Sequence, residues 1–304
     1  MKLSIVTTLY KSAPFIEEFH RRITAEAQKI TEDYEIIMVD DGSPDNSLEV
    51  ALDILKKDSH LRIIELSRNF GHHKAMITGL EHTSGELIFL IDVDLEEPPE
   101  LLGRFYNTLS DGGWDVIYGY QEQQRKGSWF EKYCGGLAWW LVDLMLPVKI
   151  PHNHSTVRLM TRNYTQALVH HKEHKTAIGG LWVITGFKQT AIPFIKGYRG
   201  TSSYSVRARL FMLLDSVTSF SELPLYVVFF LGLGILFISG IFGMYLIFRR
   251  LTGTVLAGWV SVMVSVWFLV GLAIFCVGVV GLYISRIFIE TKRRPYTIIR
   301  RIYD

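Results

Sequence analysis

Two long stretches without a charged residue constrain this chain more than any other feature. Pro224–Phe248 and Leu251–Ser285 contain no Asp, Glu, Lys or Arg, and only a short link separates them. An α-helix needs about 20 apolar residues to cross the hydrocarbon core of a bilayer. The pattern therefore predicts a hairpin of two transmembrane helices within residues 223–285, at about 224–248 and 259–284. Buried core helices of a soluble protein are the alternative.

Basic residues accumulate at the ends of these stretches. Arg249 and Arg250 lie in the link, and residues 286–304 form a basic tail. Cytoplasmic segments of membrane proteins are enriched in Lys and Arg. We therefore expect a multi-pass membrane protein whose N-terminal region and C-terminal tail both lie in the cytoplasm. Small residues within the apolar stretches would also permit a homo-oligomer.

Composition excludes several other classes of protein. Hydrophobic residues make up 49% of the 304 residues and charged residues 20%, which excludes disorder and disfavours a purely soluble protein. The net charge of +2 gives no reason to expect a nucleic-acid partner. Two cysteines, Cys134 and Cys276, are too few for a disulfide scaffold and fit a reducing compartment.

The first 120 residues or so alternate short apolar runs with stretches of helical character. The runs are Leu3–Leu9, Glu35–Val39, Leu61–Leu66, Leu87–Ile91 and Val116–Tyr118. This alternation predicts βαβ units and a Rossmann-like α/β domain with a mostly parallel sheet. Such sheets bind ligands at the carboxyl ends of their strands. Polar residues directly after each run are therefore the candidate site residues.

The region between this domain and the first apolar stretch is less regular. Thr176–Lys188 and Gln189–Pro193 indicate late strands or turns. Residues 204–222 interleave apolar side chains with Arg207 and Arg209. A basic amphipathic helix at this place is typical of a segment that lies on a membrane surface.

The sharpest local feature is a group of carboxylates after the fourth apolar run. Asp92, Asp94 and Glu96 follow Leu87–Ile91 directly. Three carboxylates at one strand end repel one another unless a cation is present. Oxygen ligands of this kind suit Mg²⁺ or Mn²⁺, which often join carboxylates to substrate phosphates. A solvated acidic turn, with Glu97 as a helix N-terminal charge, is the alternative.

A second acidic pair follows the second apolar run. Asp40 and Asp41 precede a Gly-Ser-Pro turn, and their carboxylates are suited to accept hydrogen bonds from a ribose or a base edge. A turn with a helix N-cap at Ser43 or Asp45 is the simpler interpretation. That interpretation explains Ser43 and Asp45 but not the acidic pair.

These segments together resemble family 2 glycosyltransferases of the GT-A fold. Within that family, the sequence is similar to the branch of dolichyl-phosphate mannose synthase and bactoprenol glucosyltransferase, which act on polyprenyl phosphates. The resemblance is carried by VDDGSPDNS at 39–47, LSRNFGHHKAMITGLEHTSGELIFLIDVDLEEPPELL at 66–102, VRLMTR at 157–162, GLWVITGFKQ at 180–189 and GYRGTSSYSVRARL at 197–210.

The resemblance implies a protein of the bacterial inner membrane whose residues 1–203 form a cytoplasmic GT-A catalytic domain. It implies inverting transfer of a sugar from a nucleotide-sugar, with UDP as the expected nucleotide, to polyprenyl phosphate, with undecaprenyl phosphate as the expected lipid. Asp92, Asp94 and Glu96 would hold the metal on the diphosphate. The family commonly has Gln where Glu96 stands. The nucleotide-sugar residues would be Thr8, Tyr10, Asp40, Asp41, Asp92 and Asp94.

The acceptor side departs from the family pattern. The usual run is Gly-Asp-Phe-Arg, whose Asp is a candidate base, and here Thr156 stands in its place before Arg158. A lipid monophosphate is already ionised near neutral pH, so it needs positioning and charge stabilisation more than deprotonation. The resemblance therefore implies that Asp94, Thr156 and Arg158 are catalytic. The predicted acceptor-phosphate residues are Tyr204, Arg207 and Arg209.

Two alternatives stay open at this stage. One is a membrane glycosyltransferase that extends a glycan, although the Gln-x-x-Arg-Trp motif typical of processive members is not seen. The other is a catalytically silent membrane scaffold with a degenerate transferase domain. The intact Asp92-x-Asp94 pattern argues against a scaffold, whereas Thr156 leaves that alternative open.

Overall fold

The computed structural model describes residues 2–121, 154–171, 178–197, 223–252, 258–292 and 294–304. These residues divide into two units. The described residues up to 197 form one unit together with residues 294–304, and the apolar segments 223–252 and 258–292 form the other. The predicted surface helix at 204–222 lies outside the described residues, as do Tyr204, Arg207 and Arg209.

The first unit begins with the predicted alternation of strands and helices. Its elements are β1 (Leu3–Leu9), α1 (Ala13–Gln28), β2 (Tyr34–Asp40), α2 (Ser47–Leu55), β3 (Leu61–Leu66), α3 (His72–Glu81), β4 (Leu87–Leu90), α4 (Leu101–Gly112) and β5 (Val116–Gln121). All residues of β1, β2 and β4 are buried. Burial on both faces explains why these strands are continuous apolar runs in the sequence.

Later segments complete a single sheet of eight strands. They are β6 (His154–Thr161), α5 (Arg162–His170), α6 (Ile178–Ile184), β7 (Gln189–Phe194) and β8 (Ile299–Tyr303). The strand order is β7-β5-β6-β4-β1-β2-β3-β8. β1, β2, β3 and β4 pair in parallel, as does β5 with β7, whereas β6 is antiparallel to both neighbours and β8 is antiparallel to β3. The sheet is therefore mixed, and the predicted parallel arrangement holds for the β1–β4 part.

One prediction in this unit is wrong. Residues 178–184, within the segment expected to form strands or turns, form the helix α6. Ile178, Leu181 and Trp182 are buried at helical spacing and pack with the core beneath α3. The adjacent glycines Gly179 and Gly180 are accommodated inside this short helix.

Two apolar layers cover the two faces of the sheet. One contains Phe19 and Phe105 from α1 and α4, and the other contains Met76 from α3. Gly79 lets α3 approach the sheet closely, because a Cβ atom there would lie 2.5 Å from a methyl of Val6. This close approach places the first turn of α3 beside the carboxyl ends of the strands.

The C-terminal tail ends in a strand that the sequence analysis did not predict. β8 lies on the open edge of β3, with Ile63 opposite Tyr303. The Tyr303 hydroxyl donates to Glu65 at 2.8 Å, and Arg300 donates to the same carboxylate at 3.0 Å. The last residues of the chain are therefore part of the first unit.

The second unit contains two helices, α7 (Leu223–Leu251) and α8 (Trp259–Thr291). Among the described residues, one segment, Phe268–Thr291 of α8, is long and apolar enough to cross a membrane, and none of its most apolar part is buried. α7 contains a shorter apolar segment, Pro224–Ile235. The two-span hairpin remains a prediction.

Candidate active site

The predicted donor residues meet where three neighbouring strands end. β1 lies between β2 and β4, with Leu9 opposite Asp40 and Val6 opposite Leu90. This order brings Thr8, the acidic pair at the end of β2 and the acidic loop after β4 to one edge of the sheet. Charged groups that are distant in sequence therefore share one region, as expected for a parallel α/β sheet.

A histidine that the sequence analysis did not select joins two of these strand ends. His72, the first residue of α3, has its Nδ1 atom 2.9 Å from Thr8 Oγ1. Its Nε2 atom is 3.2 Å from Asp92 Oδ1. Burial opposes the charge of the ring, but the hydrogen bond to Asp92 and the nearby Asp41 and Asp94 raise the pKa of His72.

Asp41 stabilises the loop that leads into α3. Its two carboxylate oxygens accept hydrogen bonds from the backbone N–H groups of Phe70, at 2.7 Å, and Gly71, at 3.0 Å. Burial raises the pKa of Asp41, while these two N–H groups act in the opposite direction. The loop also lies against Gly42, where an added Cβ would be 2.5 Å from the Arg68 carbonyl carbon. Asp41 therefore shapes the edge at which its predicted nucleoside contact would form.

Asp40 is one of the most deeply buried carboxyl groups at this edge, with 3% of its surface exposed. Burial, together with the neighbouring Glu65 and Asp41, raises the pKa of Asp40 to about 6. A hydrogen bond from the Ser43 N–H acts in the opposite direction. By contrast, Tyr10 is 46% exposed just beyond β1. Its ring is thus accessible to a ligand, whereas the Asp40 carboxyl is largely enclosed by protein.

The acidic loop after β4 has a sharply turned backbone. Leu95 has a positive φ of 61°, and the Glu96 N–H donates to Asp94 Oδ1 at 3.1 Å. The Glu96 carboxylate pairs with Lys196 at 2.6 Å. The Gly197 N–H also donates to the Glu96 carbonyl at 2.8 Å, so the segment after β7 is fastened to this loop.

The carboxylates of this loop are the predicted ligands of a divalent metal ion. In the described part of the chain, no group of three or more His, Cys, Asp or Glu side chains is close enough to hold a metal ion. Mg²⁺ usually binds through one or two carboxylates together with substrate phosphates. Asp92 retains 26% exposure of its side chain, so the oxygen donors of Asp92 and Asp94 fit a metal carried by a diphosphate. The Glu96 carboxylate is paired with Lys196, and its predicted metal contact stays a prediction.

Glu97 is a buried acid beneath the loop that the sequence analysis interpreted only as a helix N-terminal charge. It is 2% exposed, and the Ser155 hydroxyl donates to its Oε1 atom. Oε2 has no hydrogen-bond partner among the described residues. Burial raises the pKa of Glu97 to about 8, Asp92 and Asp94 add to the effect, and Lys196 opposes it. No local sequence signal marks its burial, which arises from packing against β6.

Arg158 is inside the protein, with 1% of its surface exposed. Its guanidinium carbon lies 3.1 Å from the centre of the Trp182 ring, and it donates to the backbone carbonyls of Ser155 and Thr156, both at 3.2 Å. Burial lowers the pKa of Arg158 to about 10. In this arrangement Arg158 supports the start of β6, where the half-buried Thr156 lies. Trp182 is the contact that sequence reasoning missed.

Comparison with known proteins identifies the family. The model of glycosyl transferase family 2 matches residues 4–169. A protein of Mycobacterium tuberculosis (strain CDC 1551 / Oshkosh) described as a glycosyltransferase is 51% identical, over 100% of this chain and 89% of its own length. The uncharacterized glycosyltransferase YkcC of Bacillus subtilis (strain 168) is 30% identical, over 100% of this chain and 94% of its own.

Solved structures of lower similarity match as well. The structure of S. aureus TarS 1-349 in complex with UDP-GlcNAc has a TM-score of 0.48 at 17% identity, over 72% of this chain and 66% of that one. The family match extends over more than half of the chain, and the M. tuberculosis relative matches along all of it. This chain therefore belongs to glycosyl transferase family 2.

Proposed function

We propose that this family 2 glycosyltransferase moves a sugar from a UDP-linked donor to a polyprenyl phosphate, with undecaprenyl phosphate as the physiological lipid. The observation that carries the proposal is the convergence of Thr8, the Asp40–Asp41 pair and the Asp92-x-Asp94 loop at one sheet edge. A family 2 domain with an exposed apolar helix, Phe268–Thr291, supports an acceptor that is embedded in a membrane.

The donor end of the site is assigned to the acidic loop. Asp92 and Asp94 would hold Mg²⁺ or Mn²⁺ against the donor diphosphate. A metal held there would neutralise charge on the departing nucleoside diphosphate. Glu96 contributes through its ion pair with Lys196, which fixes the loop. Tyr10 is exposed at the end of β1 and is assigned to the nucleoside, with Asp40 and Asp41 behind it.

The acceptor end requires no strong base. Once it is held in line, an ionised lipid phosphate oxygen attacks the anomeric carbon with inversion, and the bond from that carbon to the nucleoside diphosphate breaks. Thr156 would lie beside the reacting groups as an uncharged side chain. The Arg158 guanidinium donates to the Thr156 carbonyl and so holds the Thr156 backbone in place. Tyr204, Arg207 and Arg209 are assigned to the acceptor phosphate from the sequence pattern.

The membrane arrangement belongs to the same proposal. α7 and α8 would both span a bacterial inner membrane, with the catalytic domain and the C-terminal strand on the cytoplasmic side. The apolar side chains Phe229, Phe242 and Phe268 are between 58% and 65% exposed on these helices. Lipid would cover this surface in the membrane.

A panel of acceptors tests the acceptor class. Purified full-length protein in detergent would receive UDP-, GDP- and dTDP-sugars with Mg²⁺ or Mn²⁺, and one of three acceptors: undecaprenyl phosphate, the same lipid alcohol without phosphate, or a lipid-linked glycan. Mass spectrometry of the lipid fraction reads the product. A phosphate-linked sugar formed on undecaprenyl phosphate alone is the expected result. Extension of the lipid-linked glycan would support the glycan-extending alternative, and no product on any acceptor would support the scaffold.

A further inference from the structure

We propose that His72 is a positioning residue that fixes the orientation of the Asp92 carboxylate, with Thr8 holding the ring from the opposite side. The inference rests on the proposed function, because it assigns Asp92 to the metal and the donor diphosphate. It adds a residue, His72, and a new task for Thr8.

The geometry uses both nitrogens of one ring. Nδ1 is 2.9 Å from the Thr8 hydroxyl oxygen, and Nε2 is 3.2 Å from Asp92 Oδ1. Rotation of the imidazole about its Cβ–Cγ bond would break both contacts at once. Thr8 is 8% exposed in the fully buried strand β1, so its hydroxyl is a fixed reference point.

The placement of the ring follows from the fold around it. His72 begins α3 directly after Gly71, which has a positive φ of 100°. The Gly71 N–H is held by Asp41, and Gly79 lets the same helix lie close to β1 and β2. The helix α3 is therefore held at its start by Asp41 and near its end by close contact with the sheet. A ring at this position bridges the ends of β1 and β4.

A bridge of this kind has a defined chemical effect. Carboxylates that bind metals are usually oriented by a hydrogen bond to one oxygen, which leaves the other directed at the ion. The contact from His72 occupies Oδ1 of Asp92. Oδ2 would then be the oxygen of Asp92 that is directed at the ion. Loss of an orienting partner typically lowers metal affinity by about 10- to 100-fold.

The test measures metal affinity rather than turnover. Binding of Mn²⁺ to the full-length protein in detergent would be followed by electron paramagnetic resonance, in the presence of saturating UDP, or GDP if the wild type does not bind UDP. The variants are His72→Ala, Thr8→Val and Thr8→Ser, with His73→Ala as the control for a neighbouring histidine. Nucleotide affinity in EDTA is measured for each variant in parallel.

We expect His72→Ala and Thr8→Val each to weaken Mn²⁺ binding by about 10-fold or more, and their combination to be no worse than either alone. Thr8→Ser, which keeps the hydroxyl, and His73→Ala should bind Mn²⁺ as the wild type does. Nucleotide affinity in EDTA should be unchanged in His72→Ala and in His73→Ala, neither of which is assigned to the nucleotide. A general structural role would instead lower nucleotide affinity in EDTA as well.

Three results would overturn the inference. Wild-type Mn²⁺ affinity in His72→Ala removes the role of the ring. A loss in His72→Ala that Thr8→Val does not share shows that Thr8 does not hold the ring. Failure of the wild type to bind Mn²⁺ with either nucleotide would contradict the proposed function itself, and this outcome is recognised before any variant is compared.

Discussion

At the scale of single residues, the carboxylates of the site are fixed in place by different kinds of partner. Asp41 is held by backbone N–H groups, Glu96 by a lysine, and Asp92 by a histidine. The sequence motif identifies Asp92 and Asp94, because they follow a buried strand directly. It does not identify His72 or Glu97, whose importance arises from contacts with residues far along the chain.

The burial of Asp40 leads to a prediction about how the stability of the protein depends on pH. Its pKa in the folded protein is raised to about 6, above the usual value of 3.8. The folded state therefore binds a proton more strongly than the unfolded state, and this contribution to stability is present below about pH 4 and is lost as the pH rises through about 6. Asp40→Asn removes the buried charge and should raise stability at about pH 8, by at most about 3 kcal/mol.

The measurement is denaturant unfolding of both proteins at about pH 4.5 and about pH 8. The advantage of Asp40→Asn over the wild type should be larger at the higher pH. Equal differences at the two pH values would show that the Asp40 carboxyl is not desolvated as described.

The ion pair between Glu96 and Lys196 leads to a prediction about metal affinity. Because Lys196 occupies its carboxylate, Glu96→Gln should leave Mn²⁺ affinity in the nucleotide complex close to that of the wild type. Asp92→Asn is the matched comparison, since it also replaces one carboxylate by an amide, and it should lower turnover by about 100-fold or more. Isothermal titration with Mn²⁺ and a steady-state assay report the two effects. A large loss of metal affinity in Glu96→Gln would restore Glu96 to the metal site.

At the scale of elements, the chain is predictable where neighbours in sequence are also neighbours in the fold. β1 to β5 and the helices between them follow from short apolar runs and from the stretches that separate them. The edge strand β8 does not, because its partner β3 lies more than 200 residues earlier. The helix α6 differs from the predicted strands or turns because the burial of its apolar side chains, which the local sequence does not reveal, decides its conformation.

Removal of the edge strand should destabilise the catalytic unit. Deletion of Ile299–Asp304 removes a ladder of backbone hydrogen bonds and leaves the buried Glu65 without Tyr303 and Arg300. We expect a loss of about 3 kcal/mol in the free energy of unfolding. Deletion of Asp304 alone is the control, since it removes only an exposed pair with Arg62 and should cost less than about 1 kcal/mol. Unchanged stability in the longer deletion would contradict the assignment of β8 to this sheet.

Replacing either of two helical glycines, Gly79 or Gly103, by alanine should change stability in opposite directions. A Cβ at Gly79 would meet Val6 at 2.5 Å and Val39 at 2.9 Å, so Gly79→Ala should cost about 1–3 kcal/mol through overpacking against the sheet. A Cβ at Gly103 would meet only a Glu26 oxygen at 3.6 Å. Gly103→Ala should therefore stabilise α4 by up to about 1 kcal/mol. Thermal unfolding of both variants checks the pair, and a stabilised Gly79→Ala would show that α3 does not lie this close to β1.

At the scale of the whole molecule, a mixed α/β unit and an apolar helical unit share one chain. The α/β domain and its parallel core were predictable because alternating elements leave few other folds. The antiparallel strand β6 was not predictable, because it follows a long stretch of sequence without a clear pattern. The apolar runs predict two spans by length alone, and the described residues contain one helical segment that is long and apolar enough to cross a membrane.

The central claim is that the acidic loop after β4 supports sugar transfer to a lipid phosphate. The most direct test is formation of the sugar-linked lipid from a radiolabelled nucleotide-sugar and undecaprenyl phosphate, with and without EDTA. The wild type would be compared with Asp92→Asn/Asp94→Asn and with Asp53→Asn, an exposed control. We predict product with the wild type and the control, and none with EDTA or with the double variant. Equal product from the double variant, or full activity in EDTA, would contradict the account.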